Sequence, residues 1–210
     1  MGQIQHVEAL ATSELRRDAL AIAEAGYTAI NTGKVVEDKV HVVGDELRIG
    51  DNTYSIAGRK IYFIGVGKCA FAAASAIEKL LGDRLIGGVA LDVSAHDTDG
   101  ITKVETYLGT HPLPSEGNEK ASRRILEFLS SKTEDDLVIF FISGGGSTLL
   151  CLPDTPMTCA DEADLFKKLT SRSAPIQDIN TVRKHISRAR GGALVFAAYP
   201  AEVIALIVSN

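Results

Sequence analysis

The fold of this chain is decided by one stretch of its sequence, Phe140-Phe141-Ile142-Ser143-Gly144-Gly145-Gly146-Ser147-Thr148-Leu149-Leu150. The apolar run over residues 137–142 is long enough for one buried strand. Three successive glycines are costly inside a helix or strand, because glycine loses more backbone entropy on folding than any other residue. They suit a turn whose backbone N–H groups bend toward an anion before a helix begins. We therefore interpret residues 143–147 as an anion cradle, with a tight turn that binds no ligand as the alternative.

Short apolar segments alternate with helical patterns on both sides of this stretch. The patterns predict strands over residues 60–64, 87–91, 104–108, 137–142 and 202–208, and helices over residues 69–81, 118–129, 161–170 and 179–190. Continuously apolar strands that alternate with helices are typical of a parallel sheet covered on both faces. We predict an α/β fold, a Rossmann-like three-layer α/β/α sandwich with a mostly parallel sheet, in one domain over residues 1–210.

The N-terminal part of the chain has a different pattern. An apolar stripe with a charged opposite face predicts one long amphipathic helix over residues 8–31. Short β-like pieces split by Gly-Asp pairs follow within residues 35–56. They predict a small β-hairpin elaboration on the surface of the domain.

Composition places the chain among soluble globular proteins. It has 210 residues, of which 45% are hydrophobic and 23% charged, and its formal net charge of −5 argues against a nucleic-acid partner. The three cysteines, Cys69, Cys151 and Cys159, match no zinc pattern and are odd in number, which predicts reduced thiols. We see no signal peptide and no apolar run of membrane-spanning length, so we expect a cytoplasmic protein without a membrane partner.

A second glycine-containing loop, Gly65-Val66-Gly67-Lys68, follows the first core strand and opens a helix. With Ala70 in the third glycine position, it fits the permissive dinucleotide-binding fingerprint, and Asp92 is then the candidate ribose ligand. That fit is weak, because any turn from a strand through glycine to a helix produces it. A lysine at a helix N-terminus is disfavoured by the helix dipole, so Lys68 predicts a bound anion there, with a solvated lysine as the alternative.

Two further segments contain candidate binding residues. His111 lies in a stiff loop with two prolines after the third strand, where both a substrate contact and a structural role remain open. Residues 180–190 concentrate cations in an otherwise acidic chain, with Asn180, Arg183 and Lys184 as candidate ligands of an anion. A solvated basic face is the alternative for this segment.

Taken in order, these motifs resemble the N-terminal domain of the glycerate 2-kinase family whose C-terminal part carries the MOFRL domain. Members of that family are often labelled hydroxypyruvate reductase. The resemblance runs from about Leu15 to Asn210. It rests on segments 65–68, 87–90, 111–114, 142–147, 179–187 and 190–192 and on the strand that ends at Ser209.

The resemblance implies transfer of the γ-phosphoryl group of ATP to the 2-hydroxyl of D-glycerate, with Mg²⁺, in a cleft between two domains. In the family, the lysine that matches Lys68 is an essential active-site residue, and the loop matching Ser143–Ser147 lines the same cleft. Cys69 departs from the family, which more usually has alanine there. The family also continues beyond Asn210 into a second domain with an essential arginine, so we expect the MOFRL-containing domain to be absent from this chain and the chain alone to be inactive.

Phosphoryl transfer depends mostly on positioning and charge neutralisation, and the candidate residues supply both. We predict Lys68 as the catalytic residue and assign no metal ligand. The predicted substrate- and phosphate-binding residues are Gly65, Gly67, Ser143, Gly144, Gly145, Gly146, Ser147, His111, Asn180, Arg183 and Lys184. An NAD(P)-dependent hydroxypyruvate reductase and a non-catalytic half-protein that binds a small acid or a partner are the alternatives. Expected partners are D-glycerate, a nucleotide and the missing domain or a partner chain, and a homodimer is left open.

Overall fold

Eight strands form two separate sheets in the computed structural model, which describes residues 3–208. The smaller sheet is antiparallel and consists of β1 (Val40–Val43), β2 (Glu46–Ile49) and β3 (Asn52–Ser55). The larger sheet is parallel and consists of β4 (Lys60–Val66), β5 (Leu85–Asp92), β6 (Val104–Leu108), β7 (Asp136–Ile142) and β8 (Glu202–Ile207). The predicted α/β fold with a parallel sheet is confirmed.

Helices connect these strands. They are α1 (Val7–Leu10), α2 (Glu14–Ala29), α3 (Thr32–Lys39), α4 (Ala70–Leu81), α5 (Glu116–Leu129), α6 (Gly146–Leu149), α7 (Cys159–Ser171), α8 (Ile176–His185) and α9 (Ala193–Ala198). A short 3₁₀ turn, Gly82–Arg84, leads from α4 into β5. Among the described helices, none is both long and apolar enough to cross a membrane.

The order of strands in the parallel sheet is β6-β5-β4-β7-β8. The chain builds outward from β4 to β6 in one direction, and then returns to place β7 against the free edge of β4. Such a reversal leaves a crevice beyond the carboxyl ends of the two central strands, and open α/β sheets bind their ligands there. From the strand order we therefore expect a binding site at the loops that follow β4 and β7.

The parallel sheet is buried on both faces. One apolar cluster includes Phe63, Phe71, Ile77 and Ile139. A second cluster, built from the alternate positions of the same strands, includes Ile64, Val89, Leu91, Ile125 and Val138. All nine side chains are at most 1% exposed, and each contributes about 1.5–3 kcal/mol to stability by leaving water. This double coverage explains why the strands are continuously apolar.

The N-terminal predictions need correction. Residues 8–31 do not form one helix, because Ser13 caps α2 by accepting a hydrogen bond from the Arg16 amide after the chain has left α1. Asn31, predicted to end a helix, caps the start of α3 by accepting from the Lys34 amide. The β-piece predicted at residues 35–36 is consequently helical, with Val36 buried, and three strands replace the predicted hairpin.

Candidate functional site

The loops after β4 and β7 interlock at the crevice. The Lys68 amide donates to the Gly144 carbonyl at 3.0 Å, and the Ser143 amide donates to the Val66 carbonyl at 2.9 Å. Gly67 has a φ of +134°, and a Cβ atom at this position would lie 2.0 Å from Ser143 Oγ. The two loops therefore form one unit, because glycine at position 67 lets Ser143 approach the backbone.

The glycines after β4 serve packing in this arrangement. A Cβ atom on Gly65 would lie 2.8 Å from the Phe63 ring, and the Gly67 amide already donates to the Leu91 carbonyl at 3.1 Å. We therefore assign Gly65 and Gly67 to loop packing and not to the phosphate contact that the motif suggested.

A carboxylate of the protein, that of Asp92, already occupies the N-terminus of α4. Asp92 accepts hydrogen bonds from the Phe71 amide at 3.1 Å and the Val93 amide at 2.6 Å, and only 3% of the residue is exposed. Burial raises the pKa of this carboxyl group, while the backbone donors oppose the increase. Asp92 is thus committed to the first turn of α4, and the prediction that it binds a ribose was wrong.

Lys68 is directed toward the β7 loop. A Cβ atom on Gly145 would lie 3.4 Å from Cγ and Cε of Lys68 and 3.2 Å from Cδ2 of His111. The three residues therefore meet at one point, although they belong to three different loops. Lys68 is exposed, and its ammonium group forms no ion pair or hydrogen bond with any residue in the range 3–208.

His111 is adjacent to two cations. Its pKa is lowered, first by partial burial and then by the positive charges of Lys68 and Arg183. The imidazole is accordingly neutral at pH 7, since its ordinary pKa already lies near 6.5. A neutral imidazole can accept a proton, and an anion bound beside it would raise its pKa again.

The predicted cradle has free backbone donors. Gly145 has a φ of +88°, and the Gly146 amide turns back to the Ser143 carbonyl at 3.2 Å. Within residues 3–208, the amides of Gly144, Gly145 and Ser147 donate to no protein group. Helix α6 has only four residues, so the free N–H groups, and not a long helix dipole, are what this loop offers to an anion.

Arg183 supplies a buried cation beside the cradle. Its guanidinium carbon lies 4.2 Å from the centroid of the Phe166 ring, and the residue is 6% exposed. Nε and Nη2 are buried without a hydrogen-bond partner in the described part of the chain. Burial, and then the neighbouring charge of Arg190, lower the pKa of this guanidinium group. An anionic ligand would relieve this uncompensated charge.

Arg190 is engaged elsewhere, a fact that the sequence pattern did not reveal. It forms a buried bidentate pair with Glu162 at 2.9 and 2.7 Å, and its Nε donates to the Ser147 carbonyl at 2.6 Å. The pair fixes the end of the cradle against α7. Cys151 and Cys159 flank this region and are joined in a disulfide, so the expectation of reduced thiols was wrong for these two residues, while Cys69 is free.

Two cavities meet at the cradle. A cleft of about 710 Å³, named the polar cleft for its cations and free amides, is lined by His111, residues 142–148, Asn180 and Arg183. Apolar side chains also line it, namely Pro112, Phe166, Ile176, Ile207 and Val208. A second cavity of about 440 Å³ adjoins the first, and six residues line both spaces, namely Ile142, Gly146, Ser147, Asn180, Arg183 and Ile207. Lys184 lines only the second cavity, because it neighbours Arg183 on α8 and projects in another direction. The structure thus brings together the predicted binding residues outside the β4 loop with the exception of Lys184, and Lys68 approaches them at Gly145 from the β4 loop.

Mg²⁺ is usually held by one or two carboxylates together with substrate phosphates. The residues that line the polar cleft include no Asp or Glu, and the nearby Glu162 is paired with Arg190. Nowhere in residues 3–208 do three or more His, Cys, Asp or Glu side chains form a group that fits a metal ion. The described residues therefore do not form a magnesium site on their own.

Comparison with known proteins identifies relatives over most of the chain. A glycerate kinase of Danio rerio is 33% identical over 211 residues, covering 94% of this chain. A D-glycerate 2-kinase of Thermotoga maritima is 32% identical over 177 residues, covering 84%. The crystal structure of a glycerate kinase from Thermotoga maritima superposes with a TM-score of 0.76 at 30% identity over 91% of this chain.

These relatives are longer than the chain described here. The chain spans 42% of the Danio rerio protein and 43% of the solved Thermotoga maritima chain. A family model, the domain of unknown function DUF4147, matches residues 18–210. The family model covers most of the chain, and the glycerate kinases named above are similar to it over the same region. The chain therefore belongs to the DUF4147 family.

Proposed function

We propose that this chain is the substrate-binding part of a glycerate 2-kinase, which transfers the γ-phosphoryl group of ATP to the 2-hydroxyl of D-glycerate. The proposal rests on the names of its relatives and on the chemistry of the polar cleft. It includes a cytoplasmic location, a nucleotide and glycerate as ligands, and a second domain or partner chain that closes the cleft.

One observation carries the proposal. Arg183 and the free amides of Gly144, Gly145 and Ser147 line one cleft. Lys68 lies next to this cleft at Gly145, and no described carboxylate forms an ion pair with either cation. Uncompensated positive charge beside free N–H groups favours an oxyanion, and both substrates of a glycerate kinase carry one. A site built for apolar or neutral ligands has no need of this arrangement.

The geometry supports a division of roles in phosphoryl transfer. The amides of Gly144 and Gly145 and the Lys68 ammonium group stabilise negative charge that develops on the transferring group. His111 is neutral at pH 7 and accepts the proton that the 2-hydroxyl loses as its oxygen bonds to phosphorus. ADP leaves with the electron pair of the broken P–O bond. Magnesium, when it is present with the nucleotide, neutralises phosphate charge, and the described residues are not its ligands.

Reduction of hydroxypyruvate with a nicotinamide cofactor is disfavoured by the same loops. Asp92 is buried and caps α4, and the β4 loop uses its amides within the protein. The groups that would bind the ribose and pyrophosphate of a dinucleotide at this motif are therefore already engaged within the protein.

The test is a product analysis on the native gene product. With ATP, Mg²⁺ and D-glycerate, we expect ³¹P NMR to show 2-phosphoglycerate and ADP in equal amounts. With NADH and hydroxypyruvate, we expect no loss of absorbance at the nicotinamide band. Oxidation of NADH without phosphorylation of glycerate would overturn the proposal.

A further inference from the structure

The second cavity differs in character from the polar cleft. It lies between the carboxyl ends of β7 and β8 and the helices α8 and α9, and its walls are largely apolar, with Phe140, Ile142, Leu150, Leu194, Val195 and Ile207 among them. Its volume of about 440 Å³ is within the usual range of small-molecule pockets. Apolar walls of this extent favour a ligand with a flat or apolar part, and glycerate has none.

Cations lie at one end of this apolar space. Arg183 and Lys184 both line it, and neither has an ion-pair partner among residues 3–208. The third cation of the cavity, Arg190, is neutralised by Glu162. The fitting ligand therefore combines an apolar ring with an anionic group that reaches Arg183.

The position of Arg183 adds a constraint. Arg183, together with Asn180, Gly146 and Ser147, also lines the polar cleft that contains His111. An anionic group at Arg183 is consequently in reach of a second ligand on the other side. In-line phosphoryl transfer requires this kind of contact between a donor phosphate and an acceptor hydroxyl.

We propose that the second cavity binds the nucleotide, with its purine ring among Leu194, Val195 and Ile207 and its phosphates directed to Arg183. D-Glycerate then occupies the polar cleft beside Lys68 and His111. This assignment rests on the proposed kinase function and goes further by giving each substrate its own cavity.

Two neighbouring positions on α9 provide the test. Val195 lines the cavity and is 51% exposed, so a tryptophan there fills the space without entering the core. Phe196 is 85% exposed and does not line the cavity, so Phe196→Trp is the matched control. Binding of ADP, adenosine, inorganic phosphate and D-glycerate is measured by titration calorimetry for the full chain and both variants, after their thermal unfolding has been compared.

We expect Val195→Trp to weaken the binding of ADP and of adenosine at least about tenfold, which corresponds to about 1.4 kcal/mol of binding free energy. Phosphate and D-glycerate are expected to bind within about twofold of the parent in both variants, and Phe196→Trp to leave all four ligands unchanged. Unaltered ADP affinity in Val195→Trp would overturn the assignment, and so would ADP that binds the parent no more tightly than phosphate does. D-Glycerate binding would survive either result, so a failure of this assignment is distinguishable from a failure of the kinase proposal.

Discussion

Lys68 has an exposed ammonium group that no residue in the range 3–208 neutralises. Its Cγ and Cε would lie 3.4 Å from a Cβ atom on Gly145, so the side chain lies next to the cradle. A side chain with no structural partner contributes little to stability, and surface substitutions of this kind usually change it by less than about 0.5 kcal/mol. In the proposed function, the position and charge of Lys68 fit a residue that binds an anion.

We expect Lys68→Ala to weaken phosphate and D-glycerate binding by about tenfold or more and to abolish turnover in the native enzyme, because one charge of the clamp is lost. The melting temperature should not change. Lys120→Ala, an exposed lysine on α5, serves as the control. A Lys68→Ala variant with parental kcat and KM for D-glycerate would remove this residue from the mechanism.

His111 gives the site a pH dependence whose sign follows from its lowered pKa. Without ligand, the imidazole is neutral at pH 7, because burial and the charges of Lys68 and Arg183 oppose protonation. A bound anion favours the protonated form and raises the pKa, so binding takes up a proton as the pH falls below the ordinary value of about 6.5. Anion affinity should therefore rise as the pH falls from about 7.5 to about 6.

The measurement is phosphate affinity as a function of pH, with the His111 ring signals followed by NMR. Phosphate itself titrates in this range, so the His111→Gln variant is the reference, and the steeper pH dependence of the parent is the predicted result. Equal pH profiles in both proteins would show that His111 does not sense the ligand. In the absence of ligand, the lowered pKa makes folding less favourable as the pH falls through the same window, because the unfolded chain binds the proton first.

At the scale of elements, the cradle depends on one turn, and Gly145 is its critical position. Its φ of +88° is unfavourable for any other residue, and a Cβ atom would contact His111 and Lys68. Gly44, in the turn between β1 and β2, has a φ of +59°, and a Cβ atom at this position would have no neighbouring atom within 4 Å. The two glycines thus share the backbone requirement and differ in what surrounds them.

We expect Gly145→Ala and Gly44→Ala to lose similar stability, about 1 kcal/mol each, in chemical denaturation. Only Gly145→Ala should lose phosphate binding, since its methyl group displaces Lys68 and His111 from the cradle. Retention of normal phosphate affinity in Gly145→Ala would contradict the cradle, whatever the stability of the variant.

The sequence predicts elements well where one physical signal dominates. The strands β4 to β8 were predicted within two residues at each end, because apolar runs of this length have few alternatives in a soluble chain. Helix α9 was missed, and a helix was predicted to begin after the glycine turn but α6 was given no bounds, since six and four residues contain too little periodicity to distinguish them from loops. The division of residues 8–31 into two helices depends on a single capping serine, Ser13, which the apolar stripe obscured.

The site was predicted in part for a related reason. Lys68, His111, Ser143–Ser147 and Arg183 are recognisable by residue type at strand ends, and the structure brings them to one crevice. The pairing of Glu162 with Arg190 and the capping role of Asp92 join residues that are 28 and 21 positions apart. Such contacts depend on how whole elements pack, and local pattern does not contain that information.

At the scale of the whole molecule, the crevice is open on one side. Lys68, His111 and Ser147 are all exposed. Closure that excludes water strengthens every charge interaction in a phosphoryl transfer site. Under the proposed function, we expect this chain to bind the substrate and a second wall to be needed for rapid turnover.

We expect the purified 210-residue chain to unfold cooperatively and to bind D-glycerate, but to release ADP at least about 10³-fold more slowly than a typical kinase, because an incomplete charge clamp costs several kcal/mol of transition-state stabilisation. Calorimetric unfolding and a coupled ADP assay measure the two halves of this prediction. Glycerate-dependent ADP release at ordinary kinase rates would show that one chain, or a homo-oligomer of it, completes the site. Dye binding typical of a molten globule would contradict the folding half.

The pairing of β4 with β7 has a consequence for when the site comes into existence. Lys60 pairs with Asp136 and Val66 with Ile142, so the two loops that form the crevice are separated by the whole β5-β6-α5 segment. Contacts between residues so far apart along the chain form late in folding, because the entropic cost of closing the intervening loop opposes them until other structure has formed. In a refolding experiment, affinity for an anion should consequently appear with the final kinetic phase, after the helical signal has recovered. The recovery of ligand binding would then report when the central sheet has assembled.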